Sequence, residues 1–236
     1  MSALLSFIGV ELSPVSNKEK AVSACGGFIA IALLVWTTHL AVGIEQATCV
    51  IASMGASAVL LFGVPHGQLS QPWPVLAGHG LSALIGVLCA QYLGHGWLAA
   101  GCAVGLAIGV MHQLKCIHPP GGATALTAVI GGDAIHALGF QFVWWPVMLN
   151  AFIMVGVAIL FNWCFAWRRY PAALTRHRPL RPHPFGRETE HEDIVKALRE
   201  MDSFVDVTET DLLALARIIS REREARILKE TRRRAS

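Results

Sequence analysis

Charge is what this sequence lacks. Across the 147 residues of Ala21–Trp167 the only formally charged side chains are Glu45, Lys115 and Asp133. The other 32 of the 35 acidic and basic residues lie before or after that block. A soluble domain charges about a quarter of its residues, so a soluble single-domain enzyme is excluded and the chain reads as an integral membrane protein. Paired cysteine motifs are also missing. The six cysteines (25, 49, 89, 102, 116 and 164) show no CxxC spacing and sit in or beside apolar stretches, as free buried thiols rather than a disulfide or zinc framework. Met1–Val10 is apolar but has neither a basic leader region nor a cleavage signal, and suits an interfacial helix better than a removed signal peptide. Carboxylates are scarce too. With only Glu45 and Asp133 in the block, both placed near loops, no catalytic constellation is expected, and no cofactor is implied.

The charge that is present is uneven. Arg168–Arg187 carries six arginines and no acid, whereas Glu188–Ser236 carries ten bases and twelve acids. Basic residues close to both ends of the apolar block place both termini in the cytoplasm of a bacterial inner membrane, which requires an even number of crossings. The organisation expected is an N-terminal segment 1–20, a transmembrane domain 21–167, a basic linker 168–187 and a cytoplasmic helical tail 188–236. Anionic lipid headgroups are the partner expected for the arginine-rich, proline-rich linker, with no nucleic acid. The tail shows a capping-box signal at Thr208 and Asp211 and apolar stripes too short to fold alone, so docking in a homo-oligomer is one reading and packing on the membrane domain the other.

Within the block, Ala21–Gly43, Val75–Leu93, Trp97–Leu114 and Val143–Trp167 are long enough to approach or complete a crossing of about 20 residues. Ala47–Val64 and Pro119–Gly131 are shorter and rich in small residues. The fold class expected is therefore all-α, a polytopic bundle of four long transmembrane helices and two half-helix or re-entrant segments. Gly101, Gly105 and Gly109, like Gly78, Ser82 and Gly86, recur every fourth residue and predict close helix packing. A weak repeat is present as well. Gly55-Ala-Ser-Ala-Val-Leu60 echoes Gly122-Ala-Thr-Ala-Leu126, and Trp73-Pro-Val75 echoes Trp145-Pro-Val147. Paired short segments in matching halves point to a transport site near the midplane, although apolar helices share a small alphabet and resemble one another by chance.

The richest stretch is Lys115-Cys-Ile-His-Pro-Pro-Gly-Gly-Ala-Thr-Ala-Leu126. Pro119 and Pro120 suit the opening of a helix, and Gly121 and Gly122 allow close approach of a ligand or a neighbouring helix. A helix starting there would turn backbone N–H groups toward a small inorganic anion, with His118, Thr124 and Lys115 nearby. The same residues also suit a Pro-Pro elbow whose histidine satisfies exposed carbonyls. His112 and His118 have no cysteine or carboxylate at ligand spacing, so no metal site is expected. His79 in an apolar span must face protein or a cavity.

Ala52-Ser-Met-Gly-Ala-Ser-Ala-Val-Leu-Leu-Phe62, Gln71-Pro72, Gly78-His79 and His118-Pro-Pro-Gly-Gly-Ala-Thr-Ala-Leu126 together resemble the signature blocks of the HPP family of integral membrane proteins, over about Lys18–Trp167. The resemblance implies a compact bundle usually counted as four transmembrane helices, and relatives in plant chloroplasts are implicated in nitrite transport. Longer members carry paired CBS domains, for which the residues after 187 are too few. Carried over onto this sequence, the expected site comprises His118, Pro119, Pro120, Gly121, Gly122 and Thr124, with Gly55, Ala56 and Ser57 from the other short segment, and with His79 and Lys115. The function expected is a transporter or channel for a small anion, nitrite by resemblance. The alternative is a membrane-anchored sensor or scaffold acting through its tail.

Overall fold

The computed structural model describes residues 15–42 and 52–174; the tail, the basic linker beyond Leu174, Cys49 and Glu45 lie outside the described residues. The chain divides into two compact units, Lys20–His177 and a second that joins Met1–Glu19 to Arg178–Ser236. In the second, Ser16 Oγ accepts the Glu19 N–H at 3.1 Å and caps the helix that begins at Asn17.

Apolar residues without alternating patterning leave the helix as the only way to satisfy the backbone in lipid, and among the described residues there are no strands. The elements are α1 (Asn17–Val42), α2 (Ala52–Gly63), α3 (Pro72–Leu93), α4 (Trp97–Gln113), α5 (Pro119–Ile130), α6 (Asp133–Leu138) and α7 (Val143–Trp163). Three of them, α1, α3 and α7, are long and apolar enough to cross a membrane. Of the four long spans expected, three are long enough and the fourth, α4, has only 17 residues, while α2, expected to be short, runs from Ala52 to Gly63. At 1.5 Å per residue α4 reaches about 25 Å, short of a hydrocarbon core of about 30 Å. Prolines open α3 and α5, as expected of residues whose missing N–H is of no use in the first turn. Helix α7 is interrupted near its start, where Trp145 leaves helical geometry before Pro146 and the turn widens to a π-helix.

α3 is the centre of the unit, packed against both α4 and α5. Its buried face, including Gly78, His79, Ser82, Ala83 and Gly86, repeats every third or fourth residue. A side chain at Gly86 would meet the Ala125 carbonyl oxygen at 2.5 Å, and one at Gly121 would meet the Gly78 carbonyl oxygen at 2.9 Å. The Gly78–Ser82–Gly86 face therefore does what the spacing predicts. The Gly101–Gly105–Gly109 face does not. All three positions are exposed with nothing within 4 Å of a added Cβ, and α4 instead packs inward through Ala99, Ala103, Ala107 and Met111. Alanine is small enough for the same close approach, and the glycines are left on the outer surface.

That surface is apolar. Phe28, Trp36, Tyr92, Trp97, Leu106, Phe152 and Leu160 are all more than half exposed, a breadth of apolar surface that belongs in lipid. The thiols divide accordingly: Cys25 and Cys164 are exposed, Cys89 and Cys116 buried. With N-ethylmaleimide on the purified protein in detergent, Cys164 should label readily and Cys116 only after denaturation, as read by peptide mass spectrometry. Equal labelling of the two would contradict the packing of the α4–α5 turn.

Candidate functional site

Four of the eleven expected site residues meet in one buried cluster: Ser57 on α2, His79 on α3, His118 at the N-cap of α5 and Thr124 within α5. Each is at most 1% exposed. His79 lies seven residues into α3, about 10 Å along its axis, within the apolar bundle. His118 is extended, with φ −141° and ψ 99°, as a residue before proline prefers. Gly78 makes room for it: a Cβ there would sit 2.7 Å from the His118 Cβ.

The hydrogen bonds form a continuous string. His118 Nδ1 lies 2.9 Å from the Leu69 carbonyl oxygen and its Nε2 lies 2.9 Å from Ser57 Oγ. Ser57 Oγ is 2.8 Å from His79 Nε2, and His79 Nδ1 is 2.8 Å from Thr124 Oγ1. Thr124 Oγ1 in turn lies 3.3 Å from the Pro120 carbonyl oxygen. A carbonyl can only accept, so His118 carries its proton on Nδ1 and donates it to Leu69. Its Nε2 then accepts from the Ser57 hydroxyl, His79 donates from Nε2 to Ser57, and Thr124 donates to His79 Nδ1. With both rings neutral, one carbonyl fixes the direction of the four bonds from Leu69 to Thr124, and the 3.3 Å contacts of Ser57 with the Ser53 carbonyl and of Thr124 with the Pro120 carbonyl are left without a hydrogen. The two rings stand edge to face with centroids 4.9 Å apart; two imidazolium charges at that separation repel by roughly 3 kcal/mol at an effective dielectric of about 20.

Leu69 is itself held in place. It lies in the 3₁₀ turn Gln68–Ser70, where Ser70 Oγ donates to the Leu60 carbonyl oxygen at 3.0 Å and Tyr170 donates its hydroxyl to the Ser70 carbonyl oxygen at 2.8 Å. Gln71 donates to the Gly67 carbonyl oxygen at 2.9 Å and accepts the Ala172 N–H at 2.9 Å. Arg168 completes the clamp: Nε donates to Asn162 Oδ1 at 3.0 Å, one terminal nitrogen to Ser23 Oγ at 3.0 Å and the other to the Phe62 carbonyl oxygen at 2.6 Å. Phe62 belongs to the π-helical end of α2, Val59–Gly63. Burial lowers the Arg168 guanidinium to about 10, still cationic at neutral pH, and raises the Tyr170 phenol further above its ordinary value. Arg168 is thus enclosed at 1% exposure, where the sequence alone makes it the first residue of a lipid-facing linker.

The other expected residues stand apart from the cluster. Pro120 and Gly121 are buried against α3 as packing residues, while Pro119, Ala56 and Lys115 are exposed and Gly55 and Gly122 half-buried. Lys115 occupies a left-handed turn, φ 54°, after α4. The start of α5 offers little to an anion, because Pro119 and Pro120 have no N–H and the Gly121 N–H is bonded to the His118 carbonyl oxygen at 2.8 Å. The Pro-Pro elbow with a histidine satisfying an exposed carbonyl describes this local geometry better. An apolar groove of about 560 Å³ between α4 and α5, lined by Val104, Ile108, His112, Pro119, Gly122 and Leu126, is separate from the cluster. His95, in the bend between α3 and α4, stacks at 3.6 Å on His136 of α6, whose Nε2 bonds the Val129 carbonyl oxygen. Among the described residues no group of three or more metal-ligating side chains converges.

Two polar residues escaped the sequence reading. Asn150 on α7 accepts the Thr38 hydroxyl of α1 at 2.9 Å, and its Nδ2 has no partner among the described residues. Asn162 bridges the Ala158 carbonyl oxygen and Arg168. A single asparagine in an apolar helix is a usable signal, since it must find a partner away from lipid.

A bundle of apolar helices with an apolar exterior and an enclosed polar cluster defines an integral membrane protein. The profile of the HPP transmembrane region matches residues 12–171. This chain belongs to that family. It is 37% identical over 170 residues to one Dictyostelium discoideum protein described as a transmembrane protein, covering 69% of this chain and 54% of that one. A second Dictyostelium transmembrane protein is 38% identical over 130 residues, covering 53% of this chain and 45% of its own length. The chain therefore spans about half the length of the curated relatives it matches. No solved structure matches it significantly.

Proposed function

We propose that the chain is a transporter or channel for a small inorganic anion, with nitrite favoured by the family resemblance. In this reading α1, α3, α4 and α7 cross the bacterial inner membrane, both termini are cytoplasmic, and α2 and α5 enter as half-helices. The observation that carries it is the convergence of Ser57, His79, His118 and Thr124 in a bundle otherwise nearly free of charge. The two hydroxyls aligned by the internal repeat, Ser57 and Thr124, bond opposite nitrogens of the same imidazole. Hydroxyl and imidazole N–H groups can release a monovalent anion more readily than a fixed cation would, so the path relies on them rather than on Lys115.

The distances would also suit a nucleophile beside its base, Ser57 with His118. Ser57 Oγ, however, takes a second hydrogen bond from His79 and has no exposed surface. The cluster reads as a junction in a transport path, not as a catalytic pair.

Proteoliposomes loaded with a nitrite sensor provide the test. Ser57→Ala and His118→Ala should each slow nitrite entry roughly tenfold or more, the effect of losing a buried hydrogen bond worth about 1.4 kcal/mol or more in the transport barrier. Thr127→Val, which removes a hydroxyl bonded only to its own helix, should leave entry unchanged. Equal flux through all four proteins, or flux no faster than in empty liposomes, would overturn the reading.

A further inference from the structure

The hydrogen-bond string can be counted. It has six contacts: Leu69 O to His118, His118 to Ser57, Ser57 to His79, His79 to Thr124, Thr124 to Pro120 O, and Ser57 to Ser53 O. Each needs one hydrogen. With both imidazoles neutral the string contains four, two ring N–H groups and two hydroxyls. Two contacts must be empty. Four measure 2.8–2.9 Å, and the two to the Pro120 and Ser53 carbonyls measure 3.3 Å, which is where the direction set by Leu69 leaves the gaps.

We propose that this string is a binding site for one proton, held by His79 and His118 together, and that, resting on the transport reading above, this proton is the ion coupled to anion passage. The step balances. Hydronium gives its proton to Thr124 Oγ1 and leaves as water. Thr124 passes its own proton to His79 Nδ1, His79 passes its Nε2 proton to Ser57 Oγ, and Ser57 passes its hydroxyl proton to His118 Nε2. His118 is then an imidazolium donating to Leu69 and to Ser57. Ser57 donates to His79 Nε2, His79 Nδ1 donates to Thr124, and Thr124 donates to the Pro120 carbonyl. Every contact but that of Ser57 with the Ser53 carbonyl is filled, and every bond between the two rings has reversed.

A second proton is opposed. It would require Ser57 to turn to the Ser53 carbonyl oxygen, 3.3 Å away, and would put two imidazolium rings 4.9 Å apart. Of the other titratable groups on the elements packed against the rings, α3 carries Cys89, α4 carries Cys102 and His112, and the α4–α5 turn carries Lys115 and Cys116; none is hydrogen-bonded to either ring, and no carboxylate is bonded to them among the described residues. The carbonyls at both ends accept protons in hydrogen bonds but cannot pass them on, so the string stores a proton and does not conduct through it.

Nitrogen-15 histidine NMR of the full chain in lipid bilayers tests the site without any transport assay. At neutral charge His118 should appear as the Nδ1–H tautomer and His79 as the Nε2–H tautomer, assigned with His118→Gln and His79→Gln. Acidification should add one proton to the pair in a first step well separated from a second. Thr124→Val, nearly isosteric, should move that first step down by roughly one pH unit or more, and Thr124→Ser should restore it. An Nε2–H tautomer at His118, simultaneous uptake of two protons, or an unmoved titration in Thr124→Val would overturn the site. In proteoliposomes with an internal pH dye, proton entry above that of protein-free liposomes should accompany nitrite and fall with it in Thr124→Val. Anion flux without protein-dependent proton entry would overturn the coupling and leave the transport reading standing. A verified one-proton site with no flux of any anion would overturn the transport reading and leave the site standing.

Discussion

Arg168→Met is expected to destabilise the protein by roughly 3–5 kcal/mol, lowering the thermal midpoint by about 10 °C. Methionine fills similar space and keeps the apolar part of the side chain, so the loss isolates the guanidinium. Its removal leaves the Phe62 carbonyl and Asn162 Oδ1 buried without the donors they have now, and each such group costs about 1–3 kcal/mol. Replacing an entire buried polar set by apolar residues is often neutral, whereas removing one member strands the others. Arg168→Lys should fall between the two, since an ammonium keeps the charge but cannot reproduce a planar fork reaching Ser23, Phe62 and Asn162 at once. Thermal unfolding followed by tryptophan fluorescence in detergent would measure it. A methionine variant as stable as wild type would show that the clamp does not hold the loop.

Gly86→Ala and Gly105→Ala make the same chemical change with opposite expected outcomes. At Gly86 the new methyl would lie 2.5 Å from the Ala125 carbonyl oxygen and 2.7 Å from the Ala128 Cβ. Neither is the end of a flexible side chain, so α3 and α5 must separate, at a cost of about 2–3 kcal/mol. Because Ser82 and His79 share that face, the Thr124–His79 bond would lengthen with it. At Gly105 nothing lies within 4 Å. Alanine there adds only helix propensity, a gain of up to about 1 kcal/mol. Parallel melting curves decide the comparison, and a Gly86→Ala variant no less stable than Gly105→Ala would mean that the α3–α5 contact is looser than described.

The membrane class, the helix start at Pro119, and the two short helices were legible because each rests on local chemistry: scarce charge, and proline with no N–H to satisfy; α3 was expected from Val75 and begins three residues earlier, at Pro72. The convergence of Ser57 with Thr124 was half legible through the repeat, which aligned the two residues without showing that they meet at His79. What the sequence could not convey was which small-residue face packs. Gly101, Gly105 and Gly109 carry the same spacing as Gly78, Ser82 and Gly86, and only the position of α5 distinguishes them. Arg168 misled for a related reason. Six arginines in a row of twenty residues look alike in composition, and enclosure of the first depends on the Phe62 carbonyl of the π-helical turn more than a hundred residues earlier, and on Ser23 and Asn162. The anion-facing helix end failed on a simpler point: two prolines remove the donors that make a helix N-terminus attractive.

Phe62 and Ser57 lie five residues apart on α2, about 7 Å along its axis. The residue that grips Phe62, Arg168, is also the one through which the polypeptide leaves α7 toward its C-terminal region. In mechanical terms α2 is a short lever with its handle at Phe62 and its working end at Ser57. A tug on the peptide after Leu174 would reach the loop that holds His118 through Ala172 and Tyr170, and the hydroxyl that joins the two histidines through Arg168.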